Sequence, residues 1–546
     1  MRRSLLAALA ATLALLGLVA VSTPGSANEG RHVGAVDPHL LGIQHLVVVY
    51  EENHSFDNLY GTWPGADGLA DPAATTPNQT QVDQQGNAYT CLRQNDPHLT
   101  SPSPLAPTCT DPRGFSSAFA NQPFAIDDHI ALDQQTEDLV HRYYQEQYQI
   151  DGGAMDRFTT GSDAVGLTQG HYDTTTLPVY QYLTGPDAPP SLVDDHFFHA
   201  AFGGSFLNHQ WLVAAQTPVF DGAHNDGSTT DFHSVVDAAG MPTSYPLYAS
   251  PLGTQAKDKA LTASCAPPSG RPATPAGVVC GDYAVNTIQP ASQPYSPTSS
   301  AASRLPLLTS SNIGDELSAG GVSWAWYSGG WDNAAGNTSG LGWTNGTTTG
   351  TTTGTCSDPD HNTADVYPYC GDKLFQYHHQ PFNYFANYAE GAPGRSHLQD
   401  EQDFMAQAAA GTLPAVSFVK PLGEENEHPG YTNVNSGEQH LVDLIKALKA
   451  SPGWSSTAIV VTYDEHGGFW DHVPPPTAPG VSDVWGPGAR VPGLLISPLL
   501  VRSGVDHTEY DTTSILATIE HRWQLQPMSN RDASVNDFSR AFLPPD

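Results

Sequence analysis

Positive charge is what this chain of 546 residues has least of. Its 21 Lys and Arg stand against 56 Asp and Glu, a formal net charge of −35. That balance excludes nucleic acid or an anionic membrane surface as the main partner, because both are held by clustered cations. An anionic substrate would have to meet positive charge that is local, supplied by metal and histidine. Long apolar runs are equally scarce. Past the N-terminus no stretch is apolar enough to span a bilayer, which argues against stable membrane insertion. Cysteine is limited to six residues with no zinc-ribbon spacing among them, so the cysteines read as staples rather than metal ligands.

The one long apolar run lies between residues 5 and 21, after Arg2 and Arg3 and before the small residues Gly25, Ser26 and Ala27. That order is a cleavable secretory signal, taken as residues 1–27, and it sets an extracellular destination. The Arg pair matches a twin-arginine signal poorly, so the export route stays open. An oxidising compartment and an even cysteine count predict disulfides. Sequence neighbours would give Cys91–Cys109, Cys265–Cys280 and Cys356–Cys370, among fifteen possible pairings. A hydrophobic fraction of 39% suffices for a sizeable core. The remaining residues 28–546 read as a single domain with loop-rich insertions near 71–124, 217–308 and 332–372.

Two buried-strand signals end in dense polar clusters. Residues 43–50 (IQHLVVVY) run directly into Glu51, Glu52, Asn53, His54 and Asp57. Residues 458–461 lead into YDEHGGFWDHVPPP, which holds Asp464, Glu465, His466, Asp471 and His472 within nine residues. Ionisable groups at buried strand ends are costly unless they are used. An exposed polar turn is the competing reading of either cluster alone. Together, two carboxylates, a third from Glu52 and the Asn53 amide make a hard-oxygen set suited to a divalent cation. Further strands are expected at 322–327, 415–419 and 493–496, and helices at 133–150, 177–183, 313–319, 397–410, 437–450 and 514–523. Strands alternating with helices predict an α/β fold, a sandwich around a largely parallel sheet.

Residues 202–216 (FGGSFLNHQWLVAAQ) open on a glycine turn and continue as a helix, with Ser205 at the N-cap position. A hydroxyl there faces orphan amides and the positive end of the helix dipole, a good place for phosphate. An ordinary capping serine is the plainer reading. Of the 23 His, the pair His378-His379 and His428 in NEHPG stand out by context.

Seven stretches in order carry a family resemblance: VVVYEENHSFDNLYG from Val47, HRYYQEQYQIDGGAMDRF from His141, IGDELSAGGVSWAWYSGGW from Ile313, YHHQPFNYF from Tyr377, VKPLGEENEHPG from Val419, YDEHGGFWDHVPPP from Tyr463 and GPGARVPGLLISP from Gly486. The chain resembles the bacterial phosphoesterase family of non-haemolytic phospholipases C and acid phosphatases, within the alkaline phosphatase superfamily. The resemblance implies a three-layer, alkaline phosphatase-like α/β sandwich and one divalent metal ion, which it does not name. Glu52, Asn53 and Asp464 resemble the family's metal ligands, with Glu465 a further ligand or neighbour. Ser205 resembles its nucleophile, and His141, His378, His379 and His428 resemble the histidines around the phosphate and leaving group. Two departures stand out. Leu207 takes the place of the family's Pro before Asn208, and Ala154 the place of a Lys before Met155-Asp156. One phosphate-binding cation is therefore expected to be missing, with protonated histidine supplying part of the positive field.

The implied activity is phosphate-ester hydrolysis by a secreted enzyme of the acid phosphatase type, acting on a small phosphate ester. A phospholipase C acting on phosphatidylcholine-type lipids is the alternative. The chain ends soon after the last family stretch, whereas the family's phospholipases C commonly carry further C-terminal domains. A non-catalytic secreted binding protein on the same fold is the alternative of another class. A sulfatase is disfavoured, because no Cys/Ser-x-Pro-x-Arg element occurs. The oligomeric state is not encoded in any motif.

Overall fold

Apolar, β-branched runs form a sheet whose strands are buried on both faces, as parallel strands are when helices cover them. The structure, a computed structural model, describes residues 37–69, 80–93, 108–109, 119–220, 236–237, 239–251, 283–346 and 356–542. The expected signal segment, much of the expected insertions at 71–124 and 217–308, and the expected Cys265–Cys280 pair lie outside the described residues. The main sheet has eight strands: β1 (His45–Glu51), β2 (Ser191–Asp194), β3 (Trp324–Ser328), β4 (Leu398–Asp400), β5 (Val416–Lys420), β6 (Thr457–Tyr463), β7 (Gly493–Ile496) and β8 (Gly504–Asp506). Their spatial order is β8-β2-β7-β6-β1-β5-β3-β4. All neighbours run parallel except at β7, which is antiparallel to both β6 and β2.

Among the described residues the helices of eight residues or more are α1 (Tyr143–Ile150), α2 (Ser205–Ala214), α3 (Glu401–Ala410), α4 (Val434–Ala450) and α5 (Thr512–Trp523). Successive strand residues point to opposite faces, and β1 shows which helices lie on which. The Tyr50 hydroxyl donates to the Asn208 carbonyl of α2, while the next residue, Glu51, feels His440 of α4 and Glu401 of α3. Helices α2 and α5 pack on each other, as do α3 and α4. These pairs form the two outer layers, so the three-layer α/β sandwich expected from the sequence is present. In α4, Val434, Leu441, Leu444, Ile445 and Leu448 are buried on one stripe, and the Asn433 side chain caps its first turn.

Three expectations shift for local reasons. The helix expected over 133–150 begins only at Tyr143. Upstream, residues 132–134 turn, Val140 N–H donates to Asp163 and the His141 ring bonds the Leu139 carbonyl, contacts that keep the segment out of the helix. The helix expected from 397 begins at Glu401, because Asp400 caps it in a capping box with Asp403 while Leu398–Asp400 pairs as an edge strand. Ser205 is the first helical residue rather than the cap. Gly204 occupies the cap position and makes no side-chain cap bond. Cys91–Cys109 and Cys356–Cys370 are disulfide-bonded, in keeping with an oxidising compartment. Among the described residues no helix is long and apolar enough to cross a membrane.

Candidate active site

In open α/β sheets, sites form beyond the carboxyl ends of parallel strands. β1 and β6 are neighbours with Glu51 paired to Tyr463, so Glu52 and Asp464 leave the sheet side by side. Asp464 N–H donates to the Glu51 carbonyl at 3.1 Å. Glu52 N–H donates at 3.0 Å to the carbonyl of Asn426, in the loop after β5, the strand on the other side of β1. Three adjacent strand ends therefore converge. Gly467, at φ +61°, makes the closure possible: a Cβ there would fall 1.9 Å from the Asn53 carbonyl oxygen. Asn53 itself is held at φ +90°, a costly conformation for a residue with a side chain.

Glu52, Asn53, Asp464 and Glu465 are fully buried. Asn53 Oδ1, Asp464 Oδ2 and Glu465 Oε1 have no hydrogen-bond donor. Burial raises Asp464 well above the ordinary carboxylate range, and the Glu52 charge adds to it. Glu465 is raised well above its range by burial and then by Asp464. Each orphaned buried polar group costs roughly 1–3 kcal/mol or more if nothing meets it. Buried, unpartnered and mutually repelling oxygens fit a divalent cation with oxygen ligands.

Two histidines fix the orientation of the Asn53 amide. His141 Nδ1 lies 2.5 Å from the Leu139 carbonyl and His428 Nδ1 lies 2.7 Å from the Pro429 carbonyl. Carbonyls only accept, so both rings carry their proton on Nδ1 and leave Nε2 bare. Asn53 Nδ2 donates to both Nε2 atoms, at 3.3 and 3.1 Å. Its Oδ1 is thereby the atom turned away from the histidines and left without a donor.

Because Ser205 is not the cap, its hydroxyl is free of the helix amides and donates to Glu52 Oε2 at 3.2 Å. The preceding turn requires Gly203, at φ +97°, where a Cβ would sit 2.4 Å from Tyr143 N. His379 Nδ1 is 3.2 Å from Glu52 Oε1, and His378 lies against His379 with ring centroids 4.3 Å apart. All the residues read from the sequence, namely Glu52, Asn53, His141, Ser205, His378, His379, His428, Asp464 and Glu465, thus meet in one place. Their roles are taken up below.

Two residues escaped the sequence reading. Lys420 ends β5 with its ammonium 2.5 Å from Glu52 Oε1 and 2.8 Å from the Tyr50 carbonyl. His209 lies one helical turn after Ser205, bonds the Ser205 carbonyl through Nδ1 at 2.8 Å and stacks on His379. A Lys closing an apolar strand and a His four residues after a candidate nucleophile were the available signals. Lys420 also corrects the expected positive field. Burial lowers His141 to about 4 and His378 to about 3, and lowers His209, His379 and His428 well below the ordinary value. These rings are uncharged at neutral pH, and the charge paired with Glu52 is that of Lys420 rather than of histidine. His466 and His472 face elsewhere: His466 toward Glu146, His472 onto Asp57.

A sequence model of the Phosphoesterase family matches residues 43–526. Phospholipase C B of Mycobacterium tuberculosis (strain ATCC 25618 / H37Rv) is 38% identical over 165 residues, covering 26% of this chain and 31% of that protein. Non-specific phospholipase C6 of Arabidopsis thaliana is 32% identical over 169 residues, covering 26% and 32%. Non-hemolytic phospholipase C of Burkholderia pseudomallei (strain K96243) is 33% identical over 211 residues, covering 32% and 29%. The chain spans about a third of the length of these curated relatives. Among solved structures, phosphonate monoester hydrolase SpPMH from Silicibacter pomeroyi aligns at TM-score 0.16 and 16% identity over 22% of each chain, too little overlap to bear on the fold.

Proposed function

The chain belongs to the Phosphoesterase family, hydrolases of phosphoric ester bonds, and we propose that it is a secreted, metal-dependent member that cleaves small phosphate esters through Ser205. The observation that carries this reading is the Ser205 hydroxyl, released from capping and hydrogen-bonded to Glu52 at the edge of a buried, unsatisfied oxygen set. Glu52, Asn53, Asp464 and Glu465 would hold one divalent cation. When bound, the cation supplies Lewis-acid stabilisation of charge on the phosphoryl oxygens. Ser205 sits at the N-terminus of α2, where the helix dipole favours an anion. The Glu52 hydrogen bond turns its proton away from the incoming phosphorus. Glu52 Oε2 takes the Ser205 proton as Oγ attacks in line, the bond from phosphorus to the leaving alcohol breaks, and a phosphoserine forms. The proton given up by Ser205 passes to the leaving oxygen with His378 or His379 as a neutral relay, while His141 and His428, engaged at both ring nitrogens, orient Asn53 beside the phosphate. Water then attacks the phosphoserine, releasing phosphate and restoring Ser205. Lys420 and the Asn53–His141–His428 bonds keep the ligands in place.

A phospholipase C acting on phosphatidylcholine-type lipids is the second reading, favoured by the names of the relatives above. Export rests on the N-terminal signal pattern and the disulfides. A substrate panel across pH and added metals separates the readings. Faster turnover of a soluble aryl phosphate than of phosphatidylcholine is expected. The reverse order would establish the lipase, and no hydrolysis under any metal would leave a non-catalytic binding protein.

A further inference from the structure

Behind the Ser205 turn lies a second cluster that the proposed chemistry does not use. Glu146 of α1, His199 from the segment after β2 and His466 from the loop after β6 are all fully buried. Glu146 Oε1 lies 2.8 Å from His199 Nε2 and 3.8 Å from His466 Nε2. One atom from each residue lies within 4.8 Å of the others. The two rings are stacked, with centroids 5.6 Å apart and planes 9° apart.

The other side of each ring settles where its proton is. His199 Nδ1 lies 2.8 Å from the Ala201 carbonyl, and His466 Nδ1 lies 2.9 Å from the Phe469 carbonyl. Both Nδ1 atoms must donate to their carbonyls, which leaves the two Nε2 atoms as the ring nitrogens turned toward the Glu146 carboxylate. His466 Nε2 has no hydrogen-bond partner at all. Three potential ligand atoms thus converge on one buried point, and the 2.8 Å approach of His199 Nε2 to Glu146 Oε1 calls for a positive centre there, a proton or a metal ion. Imidazoles anchored through Nδ1 to carbonyls, with Nε2 presented inward, are the arrangement that orients histidine on a metal. The carboxylate is braced in the same way, accepting from Gly203 N–H through Oε2 at 2.5 Å and from Ala489 N–H through Oε1 at 2.8 Å. The space is kept open by Gly488, where a Cβ would fall 2.2 Å from the His199 ring and 2.5 Å from Glu146 Oε1.

We propose that Glu146, His199 and His466 form a second metal site, taking a zinc-class divalent ion on one carboxylate oxygen and two imidazole nitrogens. Zinc binds such ligands at about 2.0–2.2 Å, and with all three ligands fully buried the ion would act as a structural one. It would tie α1, the turn that presents Ser205 and the loop that carries Asp464 and Glu465 into one rigid unit. The alternative occupant of the same space is a proton, with one histidine as the cation beside Glu146.

The test separates this site from the Glu52 set. In the full-length Asp464→Asn/Glu465→Gln protein, two repelling buried carboxylates are neutralised while the Glu52–Lys420 pair is kept, so the fold is retained while the oxygen site loses two charged members. Loaded with Zn2+ alone and freed of loose metal, this variant is expected to hold one ion per chain, with X-ray absorption at the zinc edge showing two imidazole nitrogens. Adding His466→Ala is expected to abolish it. A double variant that holds no zinc, or zinc without imidazole scattering, overturns the second site and leaves the Glu52-set reading untouched. Zinc that persists unchanged after His466→Ala overturns it as well.

Discussion

At the scale of single residues the account turns on one hydroxyl. Ser205 would have read as a capping serine, a group worth about 1 kcal/mol to its helix. With Gly204 as the cap it loses that duty and faces Glu52 instead. Ser205→Ala is therefore expected to leave thermal stability within about 1 kcal/mol of wild type. It should remove acid-stable phosphate trapping and lower kcat by at least about 10³-fold. A variant that still traps phosphate would assign the nucleophile elsewhere. The buried oxygen cluster was legible because its residues directly follow apolar runs, where an ionised group has no inexpensive reason to be. Lys420 was not, because a Lys at the end of a strand normally reaches solvent. Only the tertiary fold shows it turned back between Tyr50 and Glu52. His209 was hidden for a related reason: at helical spacing from Ser205 it reads as part of a buried helix face.

At the scale of elements, the site is made by the register of β1 against β6 and by the turn that follows each. The pairing of Glu51 with Tyr463 brings two separate sequence clusters together, and Gly467 lets the second pass over the first. Gly467→Ala is expected to cost about 1–3 kcal/mol or more, since it combines a positive φ with a Cβ driven into the Asn53 backbone. Metal affinity should fall with it. Wild-type stability and wild-type metal binding in that variant would mean that the two loops are not interlocked. Strands and helices were largely readable from periodicity, because buried parallel strands are apolar throughout and α4 carries a clean stripe. What was unreadable were segments shaped by tertiary contacts. Residues 133–142 have a helical pattern but are kept out of the helix by Asp163 and by the backbone contact of His141.

At the scale of the whole molecule, acidity and burial meet in a second charged network. Arg490 is buried with Asp57 and Asp471, each 3.0 Å away, and His472 bonds Asp57 and Asp67. Burial alone would lower His472, but the Asp57 carboxylate more than reverses that and holds it up at about 9. The unfolded chain binds that proton less tightly, with a value near 6.5. Its contribution to stability is thus complete below about pH 6.5 and is lost as pH rises through about 9. It is on the order of 3 kcal/mol at most. Urea unfolding at pH 6 and pH 9.5 should show wild type losing more stability than His472→Gln over that interval. Equal losses in both proteins would contradict the raised value.

The central claim is that phosphoester cleavage here depends on a cation held by Glu52, Asn53, Asp464 and Glu465. The most direct measurement is phosphate release from an aryl phosphate by the purified mature protein, before chelation, after it, and after returning single divalent ions. Activity that vanishes with the chelator and returns with a divalent ion is the predicted result. Turnover that chelation leaves unchanged would contradict it.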